Sequence, residues 1–338
     1  MFCPKLVLVV CVLSANAVAD EPAFVPASPD EPYGEFSLER AAISLDTTAR
    51  EWQRTNKCCQ CHANFMYLLA RPALAHVVPV PSEVRDLFEQ LVGQRWERVG
   101  LRYPSEATVV SVPLAFDDNR AGHLHPLTRK ALERMLTHQR PDGGWDGIGG
   151  SERTFIREME ETVFAGLGIV TAPGDFAASE AAAGSLESIR RYLNNYRPSY
   201  PYEAGMLTWA SAKIGGIWDA GKQRQAVESL LKLQRDDGGW ALGELLEDDP
   251  EWERGKFADK RSTDGYGTGF VIFISRQAGV SADDPRVRRG IAWLKSHQRA
   301  SGRWFTPTYS RRTLNLPSNS GTGYAILALE ACGEIPQP

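Results

Sequence analysis

The sequence predicts an all-α fold: a single closed α/α toroid of about six outer and six inner helices. Three observations carry that expectation. A short pattern, Gln-x3-Gly-x-Trp, occurs three times, as Gln139, Gly143, Trp145, then Gln234, Gly238, Trp240, then Gln298, Gly302, Trp304. A pattern that returns at intervals of tens of residues signals a repeat architecture. Stretches with one apolar stripe alternate with stretches that are apolar nearly all round, and no run shows the two-residue alternation of a strand.

Taken in order, residues 1–19 read as a secretory signal. Lys5 gives the positive start, Leu6 to Leu13 the short apolar run, and Ala17-Val18-Ala19 the small-x-small cleavage site. Eight apolar residues are too few to span a bilayer, and no later stretch is long enough. The expectation is an exported protein, periplasmic or extracellular, with no transmembrane segment. Residues 20–36 are acidic and rich in proline (Pro22, Pro26, Pro29, Pro32) and read as an extended leader without a packed core. The formal charge of −4 over 338 residues gives no reason to expect nucleic acid or an anionic membrane as partner.

Residues 37–335 read as one domain. Six amphipathic stretches form the expected outer ring: Leu38/Ala41/Ala42/Leu45, Val84/Leu87/Phe88/Leu91, Leu132/Met135/Leu136, Leu186/Ile189/Leu193, Val227/Leu230/Leu231 and Val287/Ile291/Leu294. Between them, stretches near 60–75, 106–117, 160–172, 203–215, 266–278 and 321–332 are apolar all round and rich in Gly and Ala, as buried inner helices are. One acidic insertion, 241–265, lacks a clear apolar period and reads as a loop over one end of the ring.

The repeat has a physical rationale. Gly permits a tight backbone, the Gln amide can satisfy backbone groups at helix ends, and the Trp ring locks neighbouring units together. The third copy is the fullest, with Arg289-Gly290, Trp293-Leu294, Gln298, Gly302 and Trp304 in place. On these residues most of the chain resembles the squalene cyclase and protein prenyltransferase repeat superfamily. The resemblance implies that inner and outer helices alternate around a ring and that the motif ends each outer helix. It carries the fold and not the chemistry. The D-x-D-D acid of squalene-hopene cyclases is absent. Where a zinc prenyltransferase has Asp and Cys, this chain has Asp264-Gly265-Tyr266, and Ser320-Gly321-Thr322 lacks the expected His. A zinc prenyltransferase is not expected.

The sharpest chemical signal is Cys58-Cys59-Gln60-Cys61-His62, which from Cys58 reads C-x-x-C-H. In an exported chain this is the c-type haem attachment pattern: Cys58 and Cys61 reach the two vinyl groups and His62 ligates the iron. A disulfide, perhaps to Cys332, or another metal remains an alternative. His76, His123 and His125 are candidates for a sixth ligand. Glu160 and Glu161 open one inner helix, where paired carboxylates can share a proton or simply complement the helix dipole. Asp264 reads as a helix cap. These three acids are the weak catalytic candidates, and Trp209, Tyr266, Phe270 and Tyr324 are candidate cavity linings. Three functions follow: a haem c protein with a redox partner or small-molecule substrate, a cyclase-like enzyme or binder of an apolar ligand, and a non-catalytic interaction scaffold.

Overall fold

The computed structural model describes residues 26–56, 64–147, 157–246, 262–307 and 316–336. In chain order the helices are α1 (Leu38–Asn56), α2 (Asn64–Ala70, prolonged by a 3-10 turn over Arg71–Leu74), α3 (Glu83–Gln90), α4 (Trp96–Val99), α5 (Glu106–Ala121), α6 (Pro126–Leu136) and α7 (Glu158–Thr171). Then come α8 (Glu180–Asn195), α9 (Pro201–Ile214), α10 (Ala220–Leu231), α11 (Leu242–Leu245), α12 (Gly265–Gln277), α13 (Pro285–Ser296) and α14 (Leu316–Ala331).

Helices α2, α5, α7, α9, α12 and α14 form the inner ring. Each packs against the next, and α14 packs back against α2, so the ring closes. The inner helices run parallel. Near their N-terminal ends, the Tyr202 hydroxyl of α9 meets that of Tyr266 of α12 at 3.0 Å. Near their C-terminal ends, Arg276 of α12 donates to the Ala331 carbonyl and Arg120 of α5 pairs with Glu330 of α14. One end of the ring is therefore a mouth of six helix N-termini. Close approach between α12 and α14 depends on Gly269, where a Cβ would lie 2.5 Å from the Ala325 nitrogen.

The Gln-Gly-Trp repeats staple this ring together. Each Gln side-chain amide donates to the carbonyl of its own Gly and to a carbonyl in the first half of a neighbouring outer helix or just ahead of it. Gln139 reaches Gly143 and Ser185, and Gln234 reaches Gly238 and Arg286. Gln298 reaches Gly302 and Ser37, and its own oxygen accepts from Ser37 N–H. Since Ser37 directly precedes α1, this third staple joins the end of the ring to its beginning. Each Trp backbone N–H donates to a threonine of the next inner helix: Thr162, Thr268 or Thr322. Each indole N–H returns to a carbonyl ten residues earlier. Gly302 has φ of +90°, and a Cβ there would lie 2.2 Å from the Arg40 carbonyl oxygen. After α8, which carries no copy of the motif, Arg190 takes its place by donating to the Ile214 and Gly215 carbonyls.

Three expectations need adjustment. The described part of the leader is extended but docked: Tyr33 pairs in an isolated bridge with Arg299, and Ser301 N–H donates to Glu31 at 2.7 Å. The last inner helix begins at Leu316, five residues before the apolar pattern at 321. The insertion opens as helix α11, with Leu242 and Leu245 buried, because the Leu242 N–H is held by Asp264. Its residues 247–261, like the proposed signal 1–19, lie outside the described residues. No helix among the described residues is long and apolar enough to cross a membrane.

Trp304 is fully buried, so Trp304→Ala is expected to cost about 3–5 kcal/mol; an unchanged melting temperature would contradict the staple. Gly333 also has positive φ but open space around its Cβ position. Gly333→Ala should therefore cost only the left-handed strain, about 1–2 kcal/mol, and Gly302→Ala distinctly more, as denaturant titration of the pair would show.

Candidate functional site

Acidic residues line the mouth, and most of them are committed to starting inner helices. Glu106 accepts from Arg102 N–H at 2.9 Å and pairs with Arg95. Glu160 accepts from Arg157 N–H at 2.9 Å, and Glu203 accepts from Ser199 N–H at 2.8 Å and from the Tyr196 hydroxyl at 2.6 Å. These carboxylates satisfy N–H groups that a helix start leaves without partners, and they sit at the positive end of the dipole.

Asp264 does the same work most completely. It accepts from the N–H groups of Tyr266, Gly267 and Leu242, and from the Thr306 hydroxyl. Burial pushes its carboxyl up to about 6, against the pull of those donors. With four donors already placed, Asp264 is a cap that ties α12 to α11 and to the third repeat.

Glu160 and Glu161 do not form a proton-sharing pair, because adjacent helical positions point about 100° apart. Glu161 faces α5. It is 1 % exposed, and neither of its carboxylate oxygens makes a well-formed hydrogen bond. Burial raises its pKa, partly offset by the nearby Thr108 and Ser105 hydroxyls and the Gly147 N–H. Glu160 instead accepts from the Arg157 N–H, and its charge adds to burial in raising the pKa of Tyr202 and Tyr324.

Below the mouth the ring is filled by aromatic side chains, at least one from each inner helix. Phe65 of α2 meets Phe164 of α7 at 4.8 Å between ring centres, Phe164 meets Trp209 of α9 at 6.1 Å, and Trp209 meets Phe273 of α12 at 5.0 Å. Phe116 of α5 closes on Trp209, and Phe273 on Tyr324 of α14. Above this floor lie Tyr202, Tyr266 and Tyr324. Sequence reasoning singled out Trp209, Tyr266, Phe270 and Tyr324 but passed over Tyr202. Like Tyr266, it is the second residue of an inner helix, and that shared position was the available signal.

Cys58, Cys61 and His62 lie outside the described residues. Asn64, three residues past Cys61, opens α2 at the mouth; it is fully buried, and neither atom of its carboxamide has a hydrogen-bond partner among the described residues. The histidine candidates lie at the other end of the ring. His76 follows the C-terminal end of α2, and His123 and His125 fall in the turn after α5, where His125 caps α6. The sixteen residues of α5 separate the two ends by roughly 24 Å, and the three histidines lie at the end away from the mouth. Cys332 is also at the far end, a free thiol whose pKa burial pushes up to about 11.

Comparison with known proteins places this ring. Residues 197–315, from the approach to α9 past the third repeat, match the family model of the squalene-hopene cyclase C-terminal domain. This segment relates the chain to the squalene cyclases. The chain is 39 % identical to a squalene–hopene cyclase of Bradyrhizobium diazoefficiens over 79 residues, which is 22 % of this chain and 12 % of that enzyme. The chain is 25 % identical to a squalene–hopene cyclase of Zymomonas mobilis over 126 residues, 34 % of this chain and 19 % of that one. The matches thus span under a fifth of the cyclases' own length. In fold, the chain is similar to ent-copalyl diphosphate synthase from Streptomyces platensis, with a TM-score of 0.53 at 16 % identity, covering 80 % of this chain and 51 % of that one. A family 88 glycosyl hydrolase from Bacteroides vulgatus gives a TM-score of 0.55 at 13 % identity, covering 88 % and 99 %. Identities this low speak for the toroid alone.

Glu161 supplies a test of this geometry. Its raised pKa means that the fold favours the protonated acid. Its contribution to stability is full below the ordinary glutamate range and is lost as pH rises through the folded value. Glu161→Gln should therefore be more stable than the parent at neutral pH, with the gap closing in acid. Parallel melting curves across that range would contradict the placement.

Proposed function

We propose that this chain is an exported protein of the squalene cyclase fold that carries a covalent c-type haem and serves in electron transfer or small-molecule redox chemistry. The observation that carries the reading is the Cys58-x-x-Cys61-His62 pattern directly ahead of inner helix α2, whose first residue is at the mouth. Cys58 and Cys61 would hold the group by thioether bonds, and His62 would ligate its iron. The neighbouring residues fit such a group. The Asn64 carboxamide is buried with both hydrogen-bonding atoms unspent, and Phe65 and Phe164 supply an apolar wall. When bound, the haem supplies one-electron chemistry. The chain's own part is to hold it, exclude water with the aromatic floor and offer polar groups at the mouth.

A second reading, a cyclase-like enzyme or binder of an apolar ligand, draws support from the match over residues 197–315 and from the aromatic lining. The missing D-x-D-D acid and the side chains that fill the ring speak for the haem reading over it.

Haem staining on a denaturing gel, after export with haem-maturation machinery, separates the two. The expected result is a covalent stained band with a Soret absorption, lost in Cys61→Ala. A stained Cys61→Ala protein would refute the attachment site, and a colourless parent would refute the haem and leave the apolar-ligand reading.

A further inference from the structure

The leader lies along the third repeat turn as an added strand. Gly34 N–H donates to the Gln298 carbonyl and Ala300 N–H to the Pro32 carbonyl, each at 2.9 Å, on either side of the Tyr33–Arg299 bridge. Side chains then read the segment. The Glu31 carboxylate accepts from Ser301 N–H at 2.7 Å. Arg299 donates to the Glu31 carbonyl and sets its guanidinium 4.3 Å over the Tyr33 ring, and Tyr33 meets the His297 ring at 5.1 Å. A Cβ on Gly34 would lie 3.0 Å from the Ala300 Cα, so the close approach suits glycine. Main-chain bonds that give hold, with side chains that select sequence, are how an exposed backbone edge recognises a peptide.

The third copy departs from the other two where this segment binds. Asp142 and Asp237 in the first and second copies each accept from a glycine N–H of their own turn, Gly144 and Gly239. The third copy has Ser301 at that position, and the acid there is Glu31, supplied by the leader. The first copy has Pro141 where the third has Ala300, and proline has no N–H to give such a strand. The strand also lies at the seam where the ring closes. Directly after it, Ser37 exchanges two bonds with the Gln298 amide, at 2.7 and 3.0 Å, and Phe36 approaches Trp304 at 6.4 Å.

We propose that the third repeat turn is a peptide-recognition site for an extended segment of the form acid-Pro-aromatic-Gly, that leader residues 31–34 occupy it in cis, and that the occupied site latches the ring at its seam. The chemistry of the occupant follows from the contacts. The acid meets the Ser301 N–H. Pro32 holds the chain extended and offers a carbonyl, the group that Ala300 N–H takes. The aromatic ring sits against Arg299 and His297, and the glycine lets the backbones meet. Because the segment is joined to α1, its local concentration at the turn is high, and a few such contacts keep it seated. The latch is independent of the haem reading.

Amide hydrogen exchange on the full chain, read residue by residue, tests this. The amides at positions 34, 37, 300 and 301 are expected to exchange slowly in the parent and in Pro29→Ala, an exposed leader position outside these contacts. They should exchange about tenfold faster in Glu31→Ala, as for the loss of a charged hydrogen bond. Ser301→Asp, which restores the acid of the other two copies and sets it against Glu31, should do the same. Ala300→Pro, which reproduces the first turn, should free Gly34 and Ser37. Asp and Pro already stand at these positions in other copies, so both suit the turn, and circular dichroism shows whether the fold is kept; should either variant lose it, Glu31→Ala decides. Recognition is then tested in trans. A synthetic peptide of residues 29–37, added at millimolar concentration to the Glu31→Ala chain, should restore protection at Ala300 and Ser301, and the same peptide with Glu31→Ala or Gly34→Ala should not. Fast exchange in the parent, unchanged exchange in Glu31→Ala, or a peptide that restores nothing overturns the site. Exchange freed at Gly34 with Ser37 still protected overturns the latch.

Discussion

The structure depends on one hydrogen-bonding device, a glutamine amide that donates to two backbone carbonyls at once. One carbonyl belongs to its own turn and the other to a neighbouring outer helix. A buried backbone carbonyl left without a partner costs free energy. The glutamine supplies a partner to the glycine carbonyl of its own turn and adds a second bond to a carbonyl of the neighbouring unit, which fixes the distance between units, and the tryptophan extends the grip inward through a threonine hydroxyl. A stack of such units is ordinarily open-ended. Here the third copy grips Ser37 at the start of the first helix, so the same bond that joins neighbours also closes the ring.

Closure creates an inside, and an inside must be filled or wetted. This chain fills its ring with aromatic side chains packed edge to face, with Trp209 touching three of the others. Such packing gains dispersion energy and leaves little room for water. The polar exception lies just above it. There the Tyr202 and Tyr266 hydroxyls meet at 3.0 Å, so each phenol oxygen has a partner within an apolar setting. Glu106, Glu160, Glu203 and Asp264 accept backbone N–H groups at or just ahead of inner-helix starts, while Glu161 is buried against α5.

Much of this was legible in the sequence because it is periodic. Outer stripes such as Val287/Ile291/Leu294 and all-apolar inner stretches each follow from which faces a helix buries, and both recur around the ring. The capping role of Asp264 was legible too, since an Asp before a glycine-rich helix start is a local signal. Other features were hidden by distance along the chain. The partner threonines stand 17, 28 and 18 residues after their tryptophans, a spacing too variable to read as a motif. The adjacency of Glu160 and Glu161 in sequence suggested a pair, but successive helical positions diverge, so Glu160 turns back to the Arg157 N–H and Glu161 is buried against α5. The docking of the leader rests on Tyr33 and Glu31 meeting residues near 300, which no local pattern announces.

By itself, then, the sequence determined the helical class, the alternation of inner and outer helices and the repeat that joins them, because burial periodicity and turn chemistry are local properties of the chain. The tertiary structure decided which end each candidate occupies. It set His76, His123, His125 and Cys332 at the far end of the ring from Asn64, and it brought Tyr202, Tyr266 and Tyr324 together from three helices. Those placements arise from parallel helices closing on one another, and closure is a property of the whole ring that no single segment encodes.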